Sequence, residues 1–397
     1  MIRIAFTFAC LAFVISCRGD EADGTRAQLA RGLGIPAERV PLDATARGQI
    51  EHEGVVIEKW IFTAEPGSRV PALIYRPKTV GGRAPAVVFT YGHGSSKSAW
   101  SYHYAGMLYA KLGIIALAID PIGEEERHAT GRMGSRAHDN ATADQRAAAA
   151  GRLMMGKLVF DTMRGVDLLA AREDVDMRRV GVAGYSLGGA KACWMAALET
   201  RLRAALVCGW AYDDIVLPTK SCTRASFTMM RERIDWPAFI RLAAPHCAIF
   251  TGNGDIDDII DRGDHDVWRR SDKQMKAASP AFAPGMLESH LVAGGGHRPY
   301  FIGREALFFL ARQLDLPEAT RDRIDALPML NLGDWCDTHH IALEKLYGTR
   351  LHWRGATAPD LGIMPLSPEQ LAVLHPEEKG APDFTLEGWL DQIEGKR

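Results

Sequence analysis

Three residues in this chain stand where an acyl-transfer reaction would need them. Ser186 lies in "VAGYSLGG", directly after the apolar run "RRVGVAG" (Arg178 to Gly184) and directly before the helical pattern "LGGAKACWMAALE". A serine on a sharp strand-to-helix turn is exposed at a sheet edge, and small residues around it relieve the crowding. Gly184 and Gly188 serve that purpose, and Gly189 and Ala190 let the helix approach the sheet. Serine is a weak nucleophile without a base, and the base needs a carboxylate to orient it. Both occur downstream in the order serine, acid, histidine, each just past a strand. "HCAIFTGNGDIDD" offers Asp255, three residues beyond a strand ending at Gly252. "SHLVAGGGHRPYF" offers His297, carried on a triple-glycine loop. A developing oxyanion needs two backbone amides. Leu187, next to the serine, supplies one, and His93 in "YGHGSSKSAW" supplies the other, with Gly94 as the substitute donor.

The elements around these residues fit one architecture. "AVVFT" (Ala86 to Thr90), "IIALAID" (Ile114 to Asp120), "RRVGVAG", "RAALVCGW" (Arg203 to Trp210), "HCAIFTG" (His246 to Gly252) and "SHLVAGG" (Ser289 to Gly295) are short and apolar on both faces. Such strands belong in a parallel sheet with helices on both sides. Helical patterns at Asp144 to Arg172, Leu187 to Glu199, Asp266 to Ala278 and Tyr300 to Leu314 alternate with them. The reading is α/β: a mostly parallel doubly wound sheet, preceded by a strand pair at Gly54 to Phe62 and Val70 to Pro77. Two segments break the alternation. Asp213 to Phe239, with Phe227, Met229, Met230 and Trp236, reads as a cap-like insertion. Residues 317–397 carry Trp335, Tyr347, Trp353, Phe384 and Trp389, too aromatic for a disordered tail, and read as an extension packed on the main domain of residues 51–316.

Residues 1–50 read differently. Arg3 precedes an apolar run from Ile4 to Ile15, too short to span a bilayer, which takes roughly 20 residues, but of the length of a signal h-region. "VISC" ending at Cys17 resembles a lipobox, which makes residues 1–17 a signal peptide, Cys17 a lipidation site and residues 18–50 a tether and N-terminal segment. The expectation is export to a bacterial periplasm or outer membrane, with membrane contact through that anchor alone.

Composition narrows the remaining classes. The 397 residues are 47% hydrophobic and 24% charged with a formal net charge of -2, which gives no electrostatic footprint for nucleic acid. Of the seven cysteines, five (Cys193, Cys208, Cys222, Cys247, Cys336) are scattered singly beyond the leader, with no C-x-x-C pair. They read as buried thiols, with one disulfide compatible with export. No H-E-x-x-H pair or D-x-[DN]-x-[DN]-G loop occurs, so no metal is assigned and no cofactor is expected.

Taken together, "TYGHGSSKSAW", "LAIDPIGEEER", "VAGYSLGG", "TGNGDID" and "GGGHRPYF" resemble the α/β-hydrolase superfamily over Val70 to Leu314. More narrowly they resemble its dienelactone hydrolase and acetyl xylan esterase-like branch. "DPIGEEER" is similar to a D-x-x-G-x-G-E-R pattern of secreted esterases in that branch, with Glu125 where glycine is usual and an internal salt bridge the expected use of Glu126 and Arg127. The nucleophile is serine, not the cysteine of true dienelactone hydrolases. The resemblance implies an exported serine ester hydrolase acting on short acyl, in particular acetyl, groups of carbohydrates. Two other readings share the motifs: a prolyl oligopeptidase-type peptidase, although no propeller precedes the core, and an idle hydrolase fold serving as a binding lipoprotein.

Overall fold

A computed structural model of the chain describes residues 21–79, 81–215, 222–341 and 356–397. The apolar leader with Cys17, residues 216–221 of the insertion, and Tyr347 and Trp353 lie outside these. Nine strands form one sheet: β1 (Thr45–His52), β2 (Val55–Glu65), β3 (Ser68–Pro77), β4 (Ala84–Thr90), β5 (Ile115–Ile119), β6 (Val175–Tyr185), β7 (Ala204–Cys208), β8 (Ala248–Gly254) and β9 (Leu287–Val292). Their spatial order is β1-β2-β3-β5-β4-β6-β7-β8-β9. The first four of these, as far as the β3–β5 pairing, are antiparallel, and every pairing from β5 to β9 is parallel. Strands β4, β5, β7 and β8 are buried at every position, as their unbroken apolar runs require.

Helices α1 (Trp100–Lys111), α2 (Ala141–Ala149), α3 (Met154–Ala170), α4 (Leu187–Leu198), α5 (Cys222–Arg231), α6 (Trp236–Arg241), α7 (Val267–Ala278), α8 (Arg304–Gln313) and α9 (Leu386–Ile393) dress the sheet. The pattern read as one helix from Asp144 to Arg172 is two. Gly151 at φ +71° turns the chain left-handed after α2, and Leu153, extended, restarts it at α3. The stretch read as a tether is helical over residues 21–33, with Leu29 and Leu33, four apart on one helix face, fully buried. It docks on the core, where Arg26 donates to the carbonyls of Ala197 and Leu242.

The insertion's helices pack on the flank of α4. Phe227 of α5 stacks on Trp194 of α4 and on Trp210 at 5.5 Å each, and Phe239 of α6 meets Trp194 edge-on at 4.9 Å. The C-terminal residues are equally embedded. Trp335 donates its indole N–H to Ile363, and Glu126 accepts from the amides of Val373 and Leu374. Trp389 of α9 lies beneath the cations of Arg152 and Lys157. The five described cysteines are unbridged and buried. Among the described residues, no helix is long and apolar enough to cross a membrane.

Candidate active site

Ser186 sits between the last residue of β6 and the first of α4, with φ 61° and ψ -128°. A non-glycine residue held there costs about 1–3 kcal/mol and persists only when its surroundings hold it. Here the serine amide donates to Cys208 at the end of β7 (3.0 Å), and its carbonyl accepts from Ala190 in α4 (3.1 Å). The glycines around it are spatial necessities. A Cβ on Gly184 would fall 2.1 Å from Thr90 Oγ1, one on Gly188 2.3 Å from the Thr90 carbonyl, and one on Gly189 2.3 Å from that of Cys208. Thr90 in turn donates its hydroxyl to Gly188 O at 2.7 Å, tying β4 to the elbow. Ser186 stays partly exposed, whereas Tyr185 and Leu187 on either side are buried.

The imidazole of His297 reaches the same spot. A Cβ on Gly209, at φ +53° after β7, would make tight contacts of 3.2 Å with both His297 Cε1 and the Ser186 amide nitrogen. The ring also packs 5.5 Å from that of Tyr185. Its Nδ1 donates to Asp257 Oδ2 at 2.7 Å, and the Asp257 carboxylate is fully buried.

The acid expected from the sequence is therefore corrected from Asp255 to Asp257. Strand β8 does not end at Gly252; its pairing with β9 continues through Asn253–Leu291 and Gly254–Val292. Two further residues of strand move the third position past its end onto Asp257. Asp255 instead accepts the amide of Gly294 at 2.7 Å and so braces the glycine loop that carries His297. Gly254 is needed in the same brace, since a Cβ there would sit 2.0 Å from Gly295 O.

Leu187 is the first residue of α4, where amides have no partner within the helix. The loop after β4 runs against the nucleophile: a Cβ on Gly92 would touch Ser186 Cβ at 3.3 Å. That places His93 one residue from the contact. Its imidazole is not idle. The ring stacks on His138 at 5.6 Å, and its Nε2 lies 3.4 Å from Cys222 Sγ and 3.5 Å from Asp139 Oδ1.

This loop is pinned from below by buried charges. Lys97 Nζ contacts Asp120 (2.9 Å), Glu125 (2.7 Å) and Glu126 (2.7 Å), and the amides of Lys97 and Ser98 donate to Asp120 and Glu125. Burial, then the neighbouring Glu125, pushes the Asp120 carboxyl well up. Glu125 holds φ +44°, a left-handed position that explains why glycine suits it, and its carboxylate is spent on the lysine. Glu126 and Arg127 are both in ion pairs, but not with each other: Glu126 pairs with Lys97, and Arg127 with Asp161 at 2.6 Å. Burial holds the nearby Lys191 ammonium of α4 down at about 7. A cleft of about 510 Å³ reaches Trp210, the residue after Gly209, and is lined further by Phe227, Trp236, Asp213, Asp214 and Arg231.

A twisted, mostly parallel sheet with a strained serine on its central elbow, and a histidine delivered from beyond the last strand, defines an α/β-hydrolase. Comparison with known proteins agrees. The acetyl xylan esterase (AXE1) family model matches residues 41–212, which include His93, Ser186 and Leu187 but stop short of Asp257 and His297. The chain is 28% identical over 214 residues, 51% of its own length and 69% of the relative's, to "Putative hydrolase YtaP" of Bacillus subtilis (strain 168). In fold it is similar to Methylesterase BT1017, with TM-score 0.57 and 18% identity over 76% of this chain and 65% of that one. It is likewise similar to a glucuronoyl esterase from Solibacter usitatus, with TM-score 0.50 and 15% identity over 68% and 87%. The resemblance read from the sequence thus holds, and the chain is a hydrolase of the carboxylesterase kind.

Proposed function

We propose that the protein is an exported serine esterase that removes short acyl groups, acetyl in particular, from carbohydrate esters. The observation that carries this reading is the 2.7 Å bond from His297 Nδ1 to buried Asp257, made beside an elbow serine held at φ 61°. With Nδ1 donating to Asp257, Nε2 is the basic nitrogen. Ser186 Oγ attacks the ester carbonyl carbon as His297 takes its proton, and the carbonyl oxygen becomes an oxyanion received by the amides of His93 and Leu187. Asp257 keeps the ring in the productive tautomer and stabilises the imidazolium. Collapse breaks the bond to the alcohol, which leaves with the proton from His297. Water then attacks the acyl-enzyme through the same histidine, freeing the acid and restoring the serine. No step calls for a cofactor.

The acetyl xylan esterase model and the ester-cleaving names among fold neighbours support the substrate class. Hydrolysis of p-nitrophenyl acetate, butyrate and octanoate tests acyl length, and acetate release from acetylated xylan tests the alcohol. The reading expects rates falling with chain length and release from xylan. Preference for octanoate, or cleavage of a prolyl anilide in place of esters, would overturn it. Export with lipidation rests on the Ile4 to Ile15 run and Cys17; Cys17→Ser should move the protein from the membrane fraction to the soluble exported one, and an unchanged distribution would refute the anchor.

A further inference from the structure

Three side chains distant in sequence converge behind the loop that bears His93. His93 comes from the loop after β4, His138 from the short turn just before α2, and Cys222 opens α5. One ring nitrogen of each histidine and the Cys222 Sγ all lie within 4.8 Å of one another, and His93 Nε2 is 3.4 Å from Cys222 Sγ. Tetrahedral zinc, with bonds of about 2.0–2.3 Å to nitrogen and sulfur, sets its ligand atoms about 3.5 Å apart. His138 is fully buried; its Nδ1 donates to the Ile122 carbonyl at 3.2 Å, leaving Nε2 as a lone-pair nitrogen that is buried with no hydrogen-bond partner. A backbone carbonyl fixing the far nitrogen of a histidine is the outer-shell arrangement of metal-bound imidazoles. A buried acceptor left unmet otherwise costs stability.

We propose that His93, His138 and Cys222 form a three-residue binding site for a zinc-type divalent transition-metal ion, with water completing its coordination. Asp139 Oδ1 lies 3.5 Å from His93 Nε2 and accepts the Cys222 amide at 2.8 Å, so it already holds the thiol-bearing residue in place. Two imidazoles and one thiolate make a donor set that selects zinc over calcium or magnesium. Cys222 binds as thiolate and its proton leaves to solvent. Two cations share the neighbourhood: Arg136, paired with Asp139 at 2.8 Å, and Lys191, whose ammonium burial disfavours. The other triad of acids in the core, Asp120, Glu125 and Glu126, differs in kind, since Lys97 fills its centre. The ion would clamp three loops together directly behind the elbow, a structural role separate from the ester chemistry.

The test uses the untagged full chain, loaded with Zn²⁺ and desalted, with metal measured by mass spectrometry. About one zinc per chain is expected, as for a structural site, and a loss of most of it in Cys222→Ser and in His138→Gln. Cobalt(II) loading gives a second reading: the unmutated chain should show a thiolate-to-cobalt charge-transfer band and the strong visible absorption of four-coordinate cobalt, both lost in Cys222→Ser. Folding of each variant is checked by circular dichroism. A folded unmutated chain that takes up neither ion, or a cobalt spectrum without the thiolate band, overturns the proposal even if the variants do not fold. So does a full zinc load in both folded variants.

Discussion

At the residue scale the separation of roles between Asp255 and Asp257 is the sharpest consequence of the geometry. Asp257 faces the imidazole from a fully buried position, whereas Asp255 holds only the Gly294 amide. Asp257→Asn should lower kcat for p-nitrophenyl acetate by about 10³–10⁴-fold with little change in KM, because the amide favours the wrong tautomer. Asp255→Asn keeps a carbonyl oxygen for Gly294 and should cost no more than about tenfold, through looser placement of the loop. Equal losses in the two variants would contradict this assignment. Ser186 and His297 were legible because glycine spacing and strand order mark them. The acid was not, because five aspartates crowd Asp257 to Asp266 and the choice depends on where β8 stops. The grouping of His93, His138 and Cys222 left no local pattern at all, since three separate loops bring them together.

At the element scale the elbow works because strand β4, strand β6 and helix α4 approach more closely than side chains allow. A methyl on Gly188 would lie 2.3 Å from the Thr90 carbonyl, which is backbone and cannot swing aside. Gly188→Ala should therefore destabilise the chain by about 1–3 kcal/mol, the usual cost of overpacking, read as a lower urea midpoint, and should lower esterase activity in the material that remains folded. An unchanged midpoint would show that the elbow is looser than described. The parallel core strands were readable from their unbroken apolar runs, and the elbow from its glycines. Element ends were less so. Gly151 divides one apparent helix by its backbone conformation, and β1, alternating and mostly exposed, carries little hydrophobic signal.

At the scale of the whole molecule, buried ion pairs join distant segments. Lys157 of α3 bridges Glu65 of β2 (2.9 Å), Asp161 (2.8 Å) and the Ser68 hydroxyl (2.8 Å), under the ring of Trp389 from the C-terminal helix. Burial alone would raise the Glu65 carboxyl, but Lys157 and Arg152 outweigh it and bring it down to about 2. A folded-state value below the ordinary 4.5 means that this group adds stability above pH 4.5 and loses it as pH falls toward 2. The amount is about 3 kcal/mol at neutral pH. Urea midpoints at pH 7, 5 and 3 should fall across the lower interval, and Glu65→Gln should be less stable at pH 7 but show a shallower acid slope. Parallel slopes would place the acid sensitivity elsewhere. Trp335 and Trp389 of the tail are buried, and nothing in the sequence marked Glu126 as the acceptor of the Val373 and Leu374 amides. The central claim, a serine nucleophile on this scaffold, is tested most directly by mixing enzyme with excess p-nitrophenyl acetate on the millisecond scale and following p-nitrophenol. The account predicts hydrolysis through an acetyl group found on Ser186 by mass spectrometry of the quenched enzyme, and no acetylation or turnover in Ser186→Ala; a Ser186→Ala variant that turns over at the unmutated rate, or an acetyl group found elsewhere, would contradict it.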